Sequence, residues 1–416
     1  MGFRDALTAA GRPSPVLSAL ALAAGTWLLC GCGPTVLLTK EPTAQRVTAS
    51  FVRTMTKDNW TLFIRRFQPQ VLDPRRAPVV LCHGLNCNDR LWDLAEDVSL
   101  ARYLANRGYD VWVPALRGAG QSDKPGIVII RRTIRPVFPE LPRTISFRTI
   151  DPLALNWTMD DYIQYDVRAI LEAVRAQTGA PTVHWVGHSL GGIIIYAYAE
   201  QFGDGELESI CTLGSPLTIP QPPNNFQRAL RDNKELFKIM ALLVNASLAV
   251  TLPVLDERSG AVAAMYNPAN VDRSVLREFF TRGVEDIPVG VLDQLVDAVE
   301  TGELRSHNGE LNYAQMLDKV TVPTFAAGGL VDAISPPESV RFVYNHIGAR
   351  EKAYHIFSIV NNDSVDYGHL DMVFGRYARR DVFPAIDRWL ADHPLATPYT
   401  PPAAKASPQG APLALP

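Results

Sequence analysis

The sequence predicts an α/β fold in which a mostly parallel central sheet is flanked by helices. Short apolar runs rich in β-branched residues alternate along the chain with segments whose apolar residues recur at helical spacing. These short runs are apolar at nearly every position, which is typical of parallel strands buried on both faces. Between residues 220 and 319 the alternation stops, and prolines and helical patterns predict an inserted helical cap.

The individual elements follow in chain order from the same patterns. Residues 51–67 alternate apolar and polar side chains around Lys57-Asp58-Asn59, which predicts a hairpin at the start of the sheet. Residues 160–177 carry apolar side chains at helical spacing and end before Gly179, which predicts a helix. Further helices are predicted at 100–106, 193–200, 226–250, 274–280 and 291–299, and strands at 78–81, 109–116, 183–186, 207–213, 322–327 and 354–360.

A Gly-x-Ser-x-Gly motif lies between the strand predicted from Val183 and the helix predicted at 193–200. Its residues are Gly187-His188-Ser189-Leu190-Gly191. This strand–turn–helix context is typical of a nucleophile elbow, which holds a serine hydroxyl clear of the backbone and beside amide donors. So sharp a turn needs small residues on either side of the serine, and Gly187 and Gly191 meet that need. We interpret Ser189 as a candidate nucleophile, against the simpler alternative of a glycine-rich turn with an incidental serine.

A base and an acid for Ser189 are sought where other strands end, because catalytic groups collect at the carboxyl ends of parallel strands. Asp332 follows the strand predicted at 322–327, and His369 follows the last strand. The chain order Ser, Asp, His is the order that a nucleophile elbow uses. His369 is expected to move the Ser189 proton, and Asp332 to hold the tautomer of His369. Asp366 is the rival acid because it lies near His369 in the chain.

Two backbone amides are the candidate donors to a developing oxyanion. Leu190 directly follows Ser189 and supplies an amide from the start of a helix. Leu85 follows His83-Gly84 at the end of an earlier strand and is expected to supply the second amide. His83 and His188 are interpreted as structural supports of these loops rather than as proton carriers.

With these residues in place, the sequence resembles the α/β-hydrolase superfamily and, within it, the acid-lipase-like group. Acid lipases tend to carry glutamine after the nucleophile, whereas Leu190 gives the Ser-Leu-Gly-Gly form common among bacterial esterases and lipases. The resemblance implies an α/β-hydrolase fold, here with the helical cap inserted. The matching blocks are residues 77–85, 99–117, 165–191 and 368–375.

The leading functional hypothesis is a serine hydrolase that cleaves carboxylic esters through an acyl-enzyme on Ser189. The apolar run at 239–250 in the predicted cap favours an acyl or lipid-like ester as substrate. Two alternatives stay open: an acyltransferase that uses the same triad, and a catalytically silent, lipid-anchored binding protein. Serine at the elbow argues against the cysteine-dependent polymer synthases and the aspartate-dependent dehalogenases and epoxide hydrolases of this superfamily.

Composition and the remaining motifs argue against other classes of function. The net charge is −3, 20% of the residues are charged and no basic run occurs, so no nucleic-acid partner is expected. The glycines in 117–120 lack the lysine of a phosphate-binding loop. Asp366 and Asp371 flank His369, but a triad histidine explains that cluster better than a metal does. No cofactor and no metal are predicted.

The N-terminus has the features of an export signal. Arg4 and Arg12 precede an apolar run at 16–29 that is short for a membrane span and suits a signal peptide. The run ends in Leu29-Cys30-Gly31-Cys32, which resembles a bacterial lipobox. By that resemblance Cys32 is lipidated, and Gly33 after it indicates the outer membrane. The alternatives are an ordinary secretory signal, giving a secreted or periplasmic protein, and an uncleaved anchor.

The remaining predictions concern the cysteines and the domain boundaries. Cys82, Cys87 and Cys211 are interpreted as buried thiols, with a Cys82–Cys87 bridge as the alternative. The C-terminal stretch is rich in proline and alanine and predicts a disordered tail. The predicted organisation is a signal peptide at 1–31, a tether at 32–48, a first hydrolase core segment at 49–219, the cap at 220–319, a second core segment at 320–392 and the tail at 393–416.

Overall fold

The computed structural model describes residues 47–124, 127–133, 144–149, 156–233 and 265–400. Within them, strands and helices alternate as the sequence predicts. The strands are β1 (Ala49–Met55), β2 (Thr61–Phe67), β3 (Val79–Cys82), β4 (Val111–Ala115), β5 (Ile127–Thr133), β6 (Thr144–Thr149), β7 (Val183–His188), β8 (Leu207–Leu213), β9 (Thr324–Gly329) and β10 (Lys352–Phe357).

One eight-stranded sheet has the order β1-β2-β4-β3-β7-β8-β9-β10. The β1–β2 hairpin is antiparallel and pairs antiparallel with β4, while every later pair in the sheet is parallel. This arrangement confirms the predicted α/β fold. Because β3, β7, β8, β9 and β10 run in one direction, the loops after them meet at the same edge of the sheet.

Helices cover both faces of this sheet. The helix at Met159–Asp161 continues into the helix at Arg168–Thr178 through a π-helical stretch, Tyr162–Val167, so the helix predicted at 160–177 is continuous and contains a π-helical segment. The described α-helices are α1 (Leu100–Ala105), α2 (Met159–Asp161), α3 (Arg168–Thr178), α4 (Leu190–Phe202), α5 (Asn225–Asp232), α6 (Arg273–Glu278), α7 (Val289–Thr301), α8 (Pro337–His346), α9 (Asp371–Phe374) and α10 (Ala378–Asp392).

The core lies in two layers, one on each face of the sheet. Neighbouring residues of β7 point to opposite layers, because successive side chains of a strand alternate in direction. Trp185 packs in the layer that contains Ile170 of α3 and Ile194 of α4. Val186 packs in the layer that contains Phe383 of α10. Burial on both faces explains why the strand sequences are apolar at nearly every position.

Two parts of the chain differ from the sequence predictions. No element was predicted for 127–149, yet β5 and β6 form a separate antiparallel hairpin there. The tail predicted to be disordered from residue 393 is packed at its start: Leu395 and Tyr399 are buried, and their amides donate to Arg75 O and Pro74 O. These two apolar side chains pack against the body of the protein. The proline-rich composition of the C-terminal stretch does not predict this contact.

The interruption predicted at 220–319 lies between β8 and β9, which are neighbours in the sheet. Its described parts include α5, α6 and α7. The apolar run at 239–250 lies outside the described residues, as do the signal at 1–31, Cys32, most of the tether and the tail beyond residue 400. In the described ranges, no helix combines the length and the apolar character needed to cross a membrane.

The three cysteines of the described core are free and buried. Burial raises the pKa of Cys87 to about 12 and raises the pKa of Cys82 and Cys211 further still. A thiol is reactive as its thiolate, so these residues act as small apolar side chains.

Candidate active site

Ser189 lies at the junction of β7 and α4 in a strained backbone conformation. Its φ and ψ angles are 51° and −119°, in the positive-φ region that side-chain-bearing residues rarely adopt. Its amide donates to Leu213 O of the neighbouring strand β8 at 2.9 Å, which fixes the turn. In the described part of the chain the Ser189 hydroxyl has no hydrogen-bond partner, and the hydrogen bonds of His369 are made with Asp332 and His188.

The two glycines of the motif allow strand and helix to approach each other. A Cβ atom on Gly187 would lie 2.4 Å from the backbone of Gly191. A Cβ atom on Gly191 would lie 2.4 Å from Cys82 O at the end of β3. The indole of Trp185 donates to Gly191 O at 2.8 Å. The elbow therefore needs glycine at both positions for steric reasons, as the motif predicts.

Asp332 and His369 form a buried pair after β9 and β10. The two side chains belong to residues that are 3% and 4% exposed, and His369 Nδ1 donates to Asp332 Oδ2 at 2.7 Å. The second carboxylate oxygen accepts from the amides of Ile334 and Ser335 at 2.9 and 2.8 Å. Asp332 is thereby held in one orientation with one oxygen on the imidazole.

Gly214, at the end of β8, joins this pair to the serine turn. It follows Leu213, whose carbonyl holds the Ser189 amide. A Cβ atom on Gly214 would lie 3.0 Å from Asp332 Oδ2 and 3.1 Å from His369 Nδ1. The Asp–His pair thus lies directly against the strand end that anchors Ser189, and the three predicted triad residues come together at one edge of the sheet.

The ring of His188 packs against the ring of His369. The two ring centroids are 4.6 Å apart, and His188 Nε2 donates to the carbonyl oxygen of His369 at 3.0 Å. Burial, with the nearby charge of His369 as a smaller cause, lowers the pKa of His188 well below its ordinary value. A neutral ring that donates to a backbone carbonyl matches the supporting role expected from the sequence.

His83 is a second buried histidine, and its hydrogen bonds hold the loop after β3. Its Nδ1 donates to Gly84 O at 2.8 Å, and its Nε2 accepts from the Leu116 amide at 3.2 Å. Burial lowers the pKa of His83 to about 4, so the ring is neutral at pH 7.

The amides of the two predicted oxyanion donors, Leu85 and Leu190, have no partner in the part of the chain that the structure describes. Leu190 is the first residue of α4, where an amide has no partner within the helix. Leu85 lies in the loop after β3, and in the described ranges neither its amide nor that of Leu190 donates to another residue. A Cβ atom on Gly84 would lie 3.1 Å from Ser189 Cβ, so the Leu85 loop runs directly beside the serine. Two unpaired amides next to a serine can bind a negatively charged oxygen.

The rival acid, Asp366, is engaged elsewhere. Its carboxylate accepts from the Ile359 amide at 2.9 Å, and its backbone carbonyl accepts from Asn267 Nδ2 at 2.8 Å. The carboxylate that reaches the imidazole Nδ1 is that of Asp332.

Asp371 is a residue whose role the sequence did not suggest. It is buried, and its Oδ1 accepts from the amides of Gly368 and Asn267, each at 3.0 Å, while its Oδ2 accepts from Asn270 Nδ2 at 2.8 Å. Burial raises the pKa of Asp371 to about 6. These bonds tie the His369 loop to residues about a hundred positions earlier, and no local pattern predicts so distant a pairing.

A family model described as the alpha/beta hydrolase fold matches residues 77–341, which include Ser189 and Asp332. The chain belongs to the alpha/beta hydrolase fold family. This hydrolase is 24% identical over 379 residues to lipase lipl-1 of Caenorhabditis elegans, with 80% of this chain and 86% of that protein covered. It is 23% identical over 345 residues to triacylglycerol lipase 2 of Arabidopsis thaliana, with 74% and 75% covered.

Solved structures of similar fold include two bacterial esterases. The esterase EaEST from Exiguobacterium antarcticum matches this hydrolase with a TM-score of 0.53 and 15% identity, over 82% of this chain and 98% of the other. A thermophilic esterase from Thermogutta terrifontis matches with a TM-score of 0.52 and 18% identity, over 83% and 100%. At these identities the two structures show the shared fold.

Proposed function

We propose that this hydrolase cleaves carboxylic esters through an acyl-enzyme formed on Ser189. The observation that carries the proposal is the buried hydrogen bond between His369 and Asp332, beside a serine held at positive φ. Next to this serine are two amides that have no partner among the described residues. Relatives named as lipases support ester hydrolysis as the reaction. A serine, an imidazole and a carboxylate in this order form a general machinery for acyl transfer.

The proposed reaction assigns one role to each of these groups. His369 Nε2 takes the proton of the Ser189 hydroxyl as the serine oxygen bonds to the ester carbonyl carbon. The amides of Leu85 and Leu190 bind the negatively charged oxygen of the tetrahedral intermediate. His369 then gives the proton to the leaving alcohol, and the acyl group stays on Ser189. Water repeats the sequence, releasing the carboxylic acid and restoring the serine.

The surface beside the proposed site favours acyl or lipid-like esters as substrates. Leu330 and Val331 directly precede Asp332 and are exposed, and Ile359 and Val360, after β10, are exposed as well. The Leu330 amide donates to Phe357 O at the end of β10, so the two apolar pairs lie on adjacent strand ends. Exposed apolar side chains beside a catalytic edge favour contact with an apolar substrate.

Hydrolysis of p-nitrophenyl esters from acetate to palmitate, by the full-length protein in detergent, tests the proposal. We expect turnover that falls about a thousandfold or more in Ser189→Ala, because nucleophile, base and acid act as a unit. Ser50→Ala, on the exposed edge strand β1, is the matched control. The chain-length optimum then distinguishes a lipase from a short-chain esterase.

Two other results would point to the alternatives. Turnover that depends on an added alcohol or thiol, and still requires Ser189, would indicate an acyltransferase. Equal trace rates for the wild type and Ser189→Ala with every ester and acceptor would leave the binding-protein alternative and overturn the enzymatic proposal.

We also propose that the protein is exported and anchored to a bacterial membrane, in the outer membrane by preference, through lipid on Cys32. The support is the lipobox-like sequence before Cys32, which lies outside the described residues. Labelled palmitate should enter the wild type and Cys30→Ser but not Cys32→Ser when the chain is expressed in a bacterial host. Equal labelling of all three, or of none, would contradict the assignment.

A further inference from the structure

A segment of the cap insertion pairs with the loop that carries Leu85. The amide of Asn88 donates to Gly283 O at 3.1 Å, and the amide of Glu285 donates to Asn86 O at 3.1 Å. Between them, Cys87 and Val284 form an isolated antiparallel bridge. The three residues that directly follow Leu85 are therefore held by a short strand-like contact from a distant part of the chain.

Side chains strengthen this contact on both sides. Asn86 Nδ2 donates to Glu285 O at 2.7 Å, and Asn88 Nδ2 donates to Arg282 O at 2.9 Å. Asn86 has a φ angle of 60°, in the left-handed region where asparagine is tolerated better than most residues. A positive φ directly after Leu85 needs surrounding contacts to hold it, and the insertion supplies them.

The Glu285 carboxylate lies at the centre of the contact. Glu285 is 6% exposed, and its Oε1 accepts from Asn88 Nδ2 and from the Gly120 amide, each at 2.8 Å. Its Oε2 accepts from Lys124 Nζ at 2.6 Å. One buried carboxylate thus joins three parts of the chain: the insertion, the loop after β3 and the loop after β4. A buried charge is tolerated when it is paired and hydrogen-bonded in this way.

We infer that Glu285 is a positioning residue of the oxyanion site: by holding Asn86–Asn88 it places the Leu85 amide beside Ser189. The inference rests on the function proposed above. An oxyanion donor is effective only when it lies close to the position that the charged oxygen will occupy, so a small shift of the loop weakens it. Glu285 touches no reacting atom and acts through the loop.

Glu285→Ala and Glu285→Gln test the inference against Glu206→Gln. The Glu206 carboxylate is likewise paired, with the Tyr198 hydroxyl and with Arg175, but Glu206 precedes β8 and lies at the opposite edge of the sheet. We expect kcat to fall about tenfold or more in Glu285→Ala with KM little changed, short of the roughly hundredfold or larger effect of losing a donor outright. Glu285→Gln keeps an acceptor oxygen for Asn88 and Gly120 and should retain most of the activity.

Inhibitor binding separates positioning from a general structural role. An alkyl trifluoromethyl ketone adds to the active serine and presents an oxyanion, whereas the matching alcohol does not. We expect the affinity for the ketone to fall in Glu285→Ala in parallel with kcat/KM, and the affinity for the alcohol to stay unchanged. Equal weakening of both inhibitors, or activity within twofold of wild type in Glu285→Ala, would overturn the inference.

The outcomes for the two proposals are distinguishable. If Ser189→Ala abolishes turnover and Glu285→Ala does not alter it, the hydrolase mechanism stands and the positioning role is wrong. If Ser189→Ala is as active as the wild type, the proposed function fails, and the role of Glu285 fails with it. Should Glu285→Ala fold poorly in thermal unfolding, Asn88→Ala, which removes the Asn88 partner of the Glu285 carboxylate, carries the same inhibitor comparison.

Discussion

Asp332 Oδ2 lies 2.7 Å from His369 Nδ1, and the two residues come from loops that follow adjacent parallel strands. The other oxygen of Asp332 is held by the amides of Ile334 and Ser335. An acid fixed in this manner presents a single acceptor to the imidazole. The tautomer of His369 therefore has Nδ1 protonated and leaves Nε2 free to accept a proton from the nucleophile.

Replacing this acid should reduce catalysis while the fold is retained. In Asp332→Asn the amide can donate to Nδ1 and so favours the wrong tautomer, and we expect kcat to fall on the order of 10⁴-fold. Asp366→Asn is the matched control, since that carboxylate accepts from Ile359 and should alter kcat by no more than a few-fold. Steady-state kinetics with a p-nitrophenyl ester measure both. A large loss in Asp366→Asn with an active Asp332→Asn would assign the acid to Asp366 instead.

Gly214→Ala should disturb the Asp332–His369 pair. The new methyl group would lie about 3 Å from both polar atoms of that hydrogen bond, and the residue has a φ angle of 59°. We expect kcat/KM to fall about ten- to a hundredfold, because small displacements of catalytic groups are costly. Gly309→Ala also places an alanine at positive φ, 74°, but has no neighbour within 4 Å of the new Cβ atom, so it isolates the effect of the contact. Similar activities of the two variants would show that the pair tolerates the methyl group.

Gly191→Ala should damage the elbow itself. Its Cβ atom would lie 2.4 Å from Cys82 O, a backbone atom of β3 that cannot move without shifting the sheet. Overpacking of this kind costs about 1–3 kcal/mol of unfolding free energy, and more where backbone must shift. Denaturant unfolding measures the loss, with Gly205→Ala, which has open space around it, as the neutral control. A midpoint equal to that of the control would contradict the steric account.

Glu200→Gln should stabilise the protein at neutral and alkaline pH. Both carboxylate oxygens of Glu200 are buried and, in the described part of the chain, have no hydrogen-bond partner. Burial raises its pKa from 4.5 to about 9, with the charge of Lys319 opposing the rise. The folded state therefore binds the proton more tightly than the unfolded state, and the free energy of unfolding decreases as pH rises from 4.5 to about 9.

Unfolding measured across that pH range tests the role of Glu200. We expect Glu200→Gln to have a flatter pH dependence and to gain on the order of 1–3 kcal/mol over the wild type near pH 8. Glu206→Gln is again the matched control, since the Glu206 carboxylate already has a hydroxyl and an arginine as partners. An unchanged slope in Glu200→Gln would show that the carboxyl is neutralised or solvated in another way.

Features that depend on neighbouring residues were predictable from the sequence. The buried strands follow from continuous apolar runs, and the elbow follows from two glycines at fixed distances from Ser189. The close contacts of Gly187 and Gly191 give the physical reason, because each glycine meets a backbone atom at 2.4 Å once a Cβ is added. The order in which Ser189, Asp332 and His369 follow their strands was equally evident along the chain.

Features that depend on distant residues were not predictable in this way. The packing of Leu395 and Tyr399 against the body is a long-range contact that a proline-rich composition conceals. The hydrogen bonds of the Asp371 carboxylate with Asn267 and Asn270 join residues about a hundred positions apart.

The sequence by itself determined the sheet, the elbow and a short set of candidate residues, because strand burial and turn geometry are set by local side-chain size and polarity. Only the tertiary structure decided which carboxylate meets His369, since Asp366 is closer in the chain yet Asp332, 37 residues away, forms the hydrogen bond. It likewise showed that Glu285 reaches the loop of Leu85. Such pairings depend on how strands are ordered in the sheet and how an insertion folds back over it, and no local pattern carries that information.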